Sequence, residues 1–477
     1  MPHIVTDDPR VARSGGPGIV FGTCTGWVRS LGAVESPTFS SRRELDRRII
    51  RLAIPALGTL AIEPLYVLVD TAIVGRLGTP QLAGLAIAST ILLTVISMMA
   101  SLEYGVTPDV AFAHGAGRSD EARDVATAAL RLAVMIGVPI GAAVALAAEP
   151  LIRLLGGRGE VLGYAVTYLR ISCVGLPFVL VTYVGHGVMR GVNDLRKPLQ
   201  IVLVANAVNV VLEIVAVYVL DLGVAGSAWS TVLVQACAAM LFLRVLRPHS
   251  GGGRPSAERM RKLLRSGVHF AVRSIAMFAV WNVATAVAAR VDTPTLAAHQ
   301  VLIQMFTFLA LMLDALAIPA QSLVAGALGR ADTNEALLVG RTSNRLSLWC
   351  AILLAVALAA LSPVLPHVFS GDPAVHARLT SGLLILAVMQ FPGAIAFAFD
   401  GALIGAHDER WLARQAVINL AGFAPLAIAT LLYPQFGLAG LWGAQLSWMT
   451  LRALVNWRRW ESRPWLRAAG STPAIAQ

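Results

Sequence analysis

The sequence predicts an all-α polytopic membrane protein, with twelve transmembrane helices in two six-helix lobes related by a parallel internal repeat. Three observations predict it. Of 477 residues, 56% are hydrophobic and 14% charged, with a mean hydropathy of +0.69, far more apolar than a soluble domain. Apolar runs long enough to cross a bilayer as helices recur along the chain, separated by short breaks. A register of 214 residues then lays the second half over the first.

Taken in order, the first six runs lie at residues 49–74, 81–106, 125–148, 164–189, 198–220 and 223–246. The second six lie at 262–290, 294–322, 337–361, 380–405, 410–433 and 437–460. Breaks such as Gly78-Thr79-Pro80 and Gly371-Asp372-Pro373 hold turn formers, and none has room for an inserted soluble domain. Residues 1–44, rich in Gly, Pro and Ser around their start, read as a disordered extension rather than a signal peptide. The lobes then occupy 45–246 and 262–460, joined by a linker at 247–261 and followed by a cytoplasmic tail at 461–477.

Placing the N-terminus in the cytoplasm puts 26 Lys and Arg on the cytoplasmic side and five outside, which sets both termini in the cytoplasm. The net charge of +11 follows from this topology, so no nucleic-acid partner is implied. The four cysteines are scattered, without CxxC pairs or a His at ligand spacing, so neither a zinc site nor a disulfide framework is expected. No cofactor motif and no obligate protein partner is read from the chain.

The repeat aligns Val69-Asp70-Thr71-Ala72-Ile73-Val74-Gly75-Arg76 with Val283-Ala284-Thr285-Ala286-Val287-Ala288-Ala289-Arg290, and Gly223-Val224-Ala225-Gly226 with Gly437-Leu438-Ala439-Gly440. Six helices per half bring both halves into the membrane in one direction. Parallel repeats of this kind build transporters whose pathway lies between the halves.

Helix one carries Glu63, Tyr66 and Asp70 on one face, since seven residues amount to about two helical turns. Pro64, among them, removes a backbone donor and favours a kink. Helix five repeats the pattern with Asn206, Asn209 and Glu213, and Thr231 follows in helix six. Their partners at offset 214 are apolar for Asp70, Asn209 and Glu213: Ala284, Phe423 and Ala427. The fold therefore does not need these polar groups, and a carboxylate at membrane depth is by default functional. Oxygen donors of this kind suit a hard monovalent cation or a shared proton. Glu103 and Asp314, near corresponding ends of helices two and eight, read instead as structural, capping or pairing with loop arginines. Met98, Met99, Met277 and Phe278 are available to line a cavity between the lobes.

The chain resembles the multidrug and toxic compound extrusion (MATE) family, and within it the DNA-damage-inducible protein F (DinF) branch. The resemblance is carried by LAIPALG and PLYVLVDTAIVGRLG (52–58, 64–78), MRGVND (189–194), NVVLE (209–213), GVAGSAWSTVLVQ (223–235), AAHQ (297–300) and AFDGALIGAHD (398–408). It implies a V-shaped pair of lobes exporting organic compounds, cationic or amphipathic and drug-like, in exchange for H⁺ or Na⁺. The implied location is the cytoplasmic membrane of a bacterium. The family's coupling Asp falls on Asp70, its Asn-x-x-x-acid pattern on Asn209 and Glu213, and its sixth-helix Thr on Thr231. Glu63, Tyr66, Asn206 and Asp400 are secondary candidates for the same cation or proton site. Glu213 stands where many relatives have Asp. The competing readings are a lipid-linked oligosaccharide flippase, which should show a cationic cavity where the first-lobe helices offer only Arg131 and Arg170, and a membrane-embedded transferase, which needs larger interfacial loops. The chain is therefore read as a transporter and not an enzyme.

Overall fold

The computed structural model describes residues 42–247 and 256–466, and among these there is no β-strand. The extension at 1–44, the linker at 247–261 and the tail at 461–477 fall largely outside the described residues.

The first half contains α1 (Arg42–Gly75), α2 (Thr79–Met99), α3 (Ser101–Gly115), α4 (Ser119–Leu146), α5 (Ala148–Leu154), α6 (Gly159–Gly191), α7 (Arg196–Ile214) and α8 (Gly223–Leu246). The second contains α9 (Ala257–Val291), α10 (Thr293–Gly329), α11 (Thr333–Leu361), α12 (Leu365–Phe369), α13 (Pro373–Gly405), α14 (Glu409–Leu432) and α15 (Gly437–Glu461). Helices α2 and α3 together make one crossing, and a π-helical turn at Val215–Val219 extends α7. Eleven crossings are long and apolar enough to span a bilayer among the described residues. The twelfth, α15, is less apolar because Gln445, Ser447, Thr450 and Arg452 interrupt it.

Several helices of the second half start at a side-chain cap. Asp292 accepts from Thr295 N, Asp332 from Glu335 N and Asp372 from Ala374 N, each satisfying an N–H that the first helical turn leaves without a partner. The 214-residue register recurs in the backbone itself: left-handed φ occurs at Gly117 and Ala331, at Asn193 and His407, and at Gly223 and Gly437. Matched turns ending matched helices show that the repeat is structural.

Within each half one helix is central. In the first, α6 packs against α2, α3, α4 and α8; in the second, α13 packs against α10, α11 and α15. Side chains such as Leu146, Leu154, Leu353 and Leu432 point outward and are largely exposed, a surface suited to lipid.

Helices two and eight run beyond their expected ends, to Gly115 and Gly329 instead of 106 and 322. In helix two, Asp109 interrupts the apolar run, and the structure pairs it with the other lobe. Asp109 binds Lys262 at 3.0 Å and His407 at 2.9 Å. Arg345 binds Asp46 at 2.5 Å, and Arg259 lies 3.6 Å from Glu121. Close backbone approach of α3 and α10 accompanies these bonds, since a Cβ on Gly115 would meet the Gly326 carbonyl oxygen at 2.1 Å. All these contacts gather at the end of the bundle where α1 begins.

Candidate functional site

Between the lobes lies a cavity of about 580 Å³, within the range of drug-sized ligand sites. Tyr66, Asn206, Asn209 and Thr231 line its first-lobe wall, and Met277 and Phe278 its second. Met98 is instead exposed and Met99 buried in the first-lobe core.

Behind the first-lobe wall, α1, α7 and α8 bring together residues that the sequence separates by up to 165 positions. Ser227 donates to Asp70 Oδ1 at 2.8 Å. Thr231, one turn along α8, gives its proton to the Ser227 carbonyl at 3.0 Å, so Tyr66 is the donor in its 2.8 Å bond to Thr231. Glu213 is fully buried and faces Asp70, and Asn209 is 2% exposed. Among the described residues, neither oxygen of Glu213 and neither polar atom of the Asn209 amide has a hydrogen-bond partner. Four orphaned polar atoms in one buried spot, beside a second carboxylate, are expensive, and such groups call for an explanation. Two facing carboxylates ask for a proton between them or a cation among them.

Of the secondary candidates, Asn206 points its amide back to the Val202 carbonyl at 2.8 Å. The side chain of Glu63 lies outside the described residues. Helix α1 continues through Pro64, which removes the N–H that would reach the Leu60 carbonyl. Asp400 is in the other lobe, bound by Arg273 at 2.6 Å, by Arg452 and by Asn456 at 2.7 Å.

Sequence reasoning missed several residues of the site. Ser227 is one turn from Thr231 on the same face of α8, a spacing that signals it. Tyr168 of α6, 5% exposed, packs beside Asp70, Tyr66 and Glu213, and nothing local marks it. Glu103 pairs with an arginine as expected, Arg190 at 2.7 Å, which lies buried at the end of α6 and not in a loop, and both Glu103 and Asp314 also line the cavity. Their correspondence is also inexact, for offset 214 carries Glu103 to Ala317. Arg131 and Arg170 are exposed on the outside of the bundle, whereas Arg190, Arg273 and Arg452 face the cavity. Among the described residues no cluster of three or more His, Cys, Asp or Glu is arranged to hold a metal.

Two lobes in parallel repeat around a shared cavity, with buried acids on one side, define a membrane transporter. The chain belongs to the MatE family, whose family model matches it twice, over residues 55–215 and 270–430. Those two matches are spaced within one residue of the sequence repeat. The chain is 28% identical over 440 residues to DNA damage-inducible protein F of Escherichia coli, covering 89% of this chain and 94% of that protein. It is likewise 28% identical over 450 residues to Protein DETOXIFICATION 45, chloroplastic, of Arabidopsis thaliana, covering 88% and 80%. A crystal structure of MATE in the bent conformation shares the fold, with a TM-score of 0.83 at 20% identity over 90% of this chain and 97% of that one. Members of the family are transporters and not enzymes, and the chain is a multi-pass transporter that handles small molecules.

Proposed function

We propose that the protein is a secondary antiporter that exports amphipathic organic compounds of drug size in exchange for H⁺ or Na⁺. Asp70, Asn209, Glu213 and Thr231 hold the coupling ion, with Tyr66 and Ser227 positioning them. The observation that carries this reading is the fully buried Glu213 carboxylate, which faces Asp70 and has no donor of its own among the described residues. A cation arriving there is coordinated by the Glu213 oxygens and Asn209 Oδ1, and a proton gives the facing carboxylates a donor to share.

Ion release and uptake alter what α1, α7 and α8 bond to, and these helices also form the cavity wall. Ion and cargo affinities are then coupled, and by linkage the coupling is reciprocal. Lobes at 45–246 and 262–460, joined through 247–261, rock about the cavity. The charge bias assigns the end where α1 begins to the cytoplasm. The contacts gathered there then close the cytoplasmic side, an outward-facing state. A bacterial cytoplasmic membrane suits this reading, and the likeness to the Escherichia coli protein supports it.

Equilibrium ion uptake tests the site directly. Purified wild-type protein should take up protons or ²²Na⁺ saturably, and Glu213→Gln and Asp70→Asn should each abolish that uptake without unfolding the protein. Undiminished uptake by both variants would refute the assignment.

A further inference from the structure

The second-lobe wall of the cavity carries a charged cluster that ion coupling does not use. Arg273 of α9 and Arg452 of α15 donate to the same atom, Oδ2 of Asp400 on α13, while Asn456 occupies Oδ1. One carboxylate thus serves two guanidinium groups, each with five N–H donors in a planar fork. Both arginines border the cavity, although Arg452 is only 6% exposed overall. Asp314, on the same wall, stands near both arginines, whose ion pairs go to Asp400. The forks therefore have more donors than Asp400 can satisfy.

The repeat provides a control here as it does for Asp70. Offset 214 carries Arg273, Asp400 and Arg452 to Thr59, His186 and Ala238, and all three of those residues also line the cavity. The first lobe has neither arginine nor carboxylate at these three positions, and its own cavity pair is a single arginine on a single acid, Arg190 with Glu103 beside His186. Two guanidinium groups at membrane depth are costly, and packing alone does not explain them. Beside the forks stands an aromatic surface: the Arg452 guanidinium lies 5.1 Å from the Phe397 ring centre and 5.8 Å from that of Trp448. Trp281 and Phe306, 4.6 Å apart, line the cavity with them.

We propose that Arg273 and Arg452 form an anion-recognition fork for the cargo, accepting the carboxylate or phosphate of a water-soluble organic anion whose aromatic body lies on this wall. Asp400 holds the two forks in place between cargoes. The assignment rests on the transporter reading and names its cargo, replacing the cationic cargo that the family resemblance implies. It also removes Asp400 from the residues assigned to ion coupling, because two arginines already neutralise its charge.

The test is equilibrium binding to purified full-length protein, read by fluorescence anisotropy. The probe is 6-carboxyfluorescein, with rhodamine 123 as a cationic xanthene of similar size. Wild type should bind the anionic dye more tightly. Arg273→Gln and Arg452→Gln should each weaken it by about tenfold to a hundredfold, the effect of losing a charge-assisted bond, and leave rhodamine 123 unchanged or tighter. Asp400→Asn should act with the opposite sign, freeing both forks and tightening the anionic dye. A cluster that only packs the lobe would give no gain from Asp400→Asn. Preference of wild type for rhodamine 123, or unaltered carboxyfluorescein binding in both arginine variants, would overturn the proposal. If the arginine variants do not fold, competition in wild type decides: displacement of the dye by benzoate and not by benzylamine supports the fork, and the reverse refutes it. Displacement by phosphatidylglycerol nanodiscs, but not by phosphatidylcholine nanodiscs, would assign the fork to a lipid headgroup and overturn the soluble cargo. Binding is read without any ion gradient, so failure of the antiport reading leaves these outcomes distinct.

Discussion

Ser227 donates a 2.8 Å hydrogen bond to Asp70, joining α8 to α1 at a carboxylate that is 5% exposed. Removing that donor leaves a buried acid with less compensation, which costs about 1.5–3 kcal/mol when the acid is charged. Ser227→Ala should lower the melting temperature in detergent, and Ser227→Thr, which keeps the hydroxyl, should recover most of the loss. Equal melting of wild type and Ser227→Ala would show that the bond carries no stability.

Glu213 predicts the opposite behaviour. Its oxygens are fully buried and have no partner among the described residues, so a charged carboxylate there is costly. Glu213→Gln should raise the melting temperature in ion-poor buffer while abolishing ion-driven flux. Gain of stability with loss of function is the signature of a group kept for function. A variant that is both less stable and fully active would contradict the assignment.

The contact between α3 and α10 leaves no space for a side chain. A Cβ on Gly115 would lie 2.1 Å from Gly326 O, so Gly115→Ala must push the helices apart and should cost about 1–3 kcal/mol. Gly163, on α6, has nothing within 4 Å of its built Cβ, and Gly163→Ala should be neutral or slightly stabilising. Thermal melts of the two variants side by side read the difference.

Asp292, between α9 and α10, gives a pH dependence. Partial burial works against its charged form, but hydrogen bonds from Thr295 and the Arg378 guanidinium outweigh it and hold the carboxyl below the usual range. The folded state therefore binds its proton less readily than the unfolded chain. The cap's contribution is complete above the ordinary carboxylate value and is lost as pH falls through the lowered one. Asp292→Ala should cost about 1 kcal/mol at neutral pH, the usual worth of an N-cap, and progressively less in acid. A cost that grows on acidification would contradict this.

Much of the candidate site was legible because polar residues are rare on these helices. Asp70, Asn209 and Glu213 stand out from apolar runs, and the repeat shows that the fold does without them at Ala284, Phe423 and Ala427. Ser227 and Tyr168 were not legible, since a serine and a tyrosine in such helices are ordinary until packing brings them to Asp70. Arg190 fell at the edge of an apolar run and looked like a loop charge, and its partner Glu103 lies 87 residues away. The end of helix two was missed for the same physical reason: Asp109 ends a hydropathy run, yet Lys262 and His407 from the other lobe compensate it. Charges that pair only in three dimensions leave no local signal.

The central claim is that Asp70 couples an inward ion flow to export, and vesicle transport tests it most directly. Wild-type protein and Asp70→Asn are reconstituted and loaded with 6-carboxyfluorescein in one series and rhodamine 123 in another, and efflux is followed under an imposed H⁺ gradient and, separately, a Na⁺ gradient. The account predicts efflux driven by one of the two gradients in wild type and none in Asp70→Asn, with both proteins equally folded. Gradient-driven efflux of equal rate in the two proteins would contradict it.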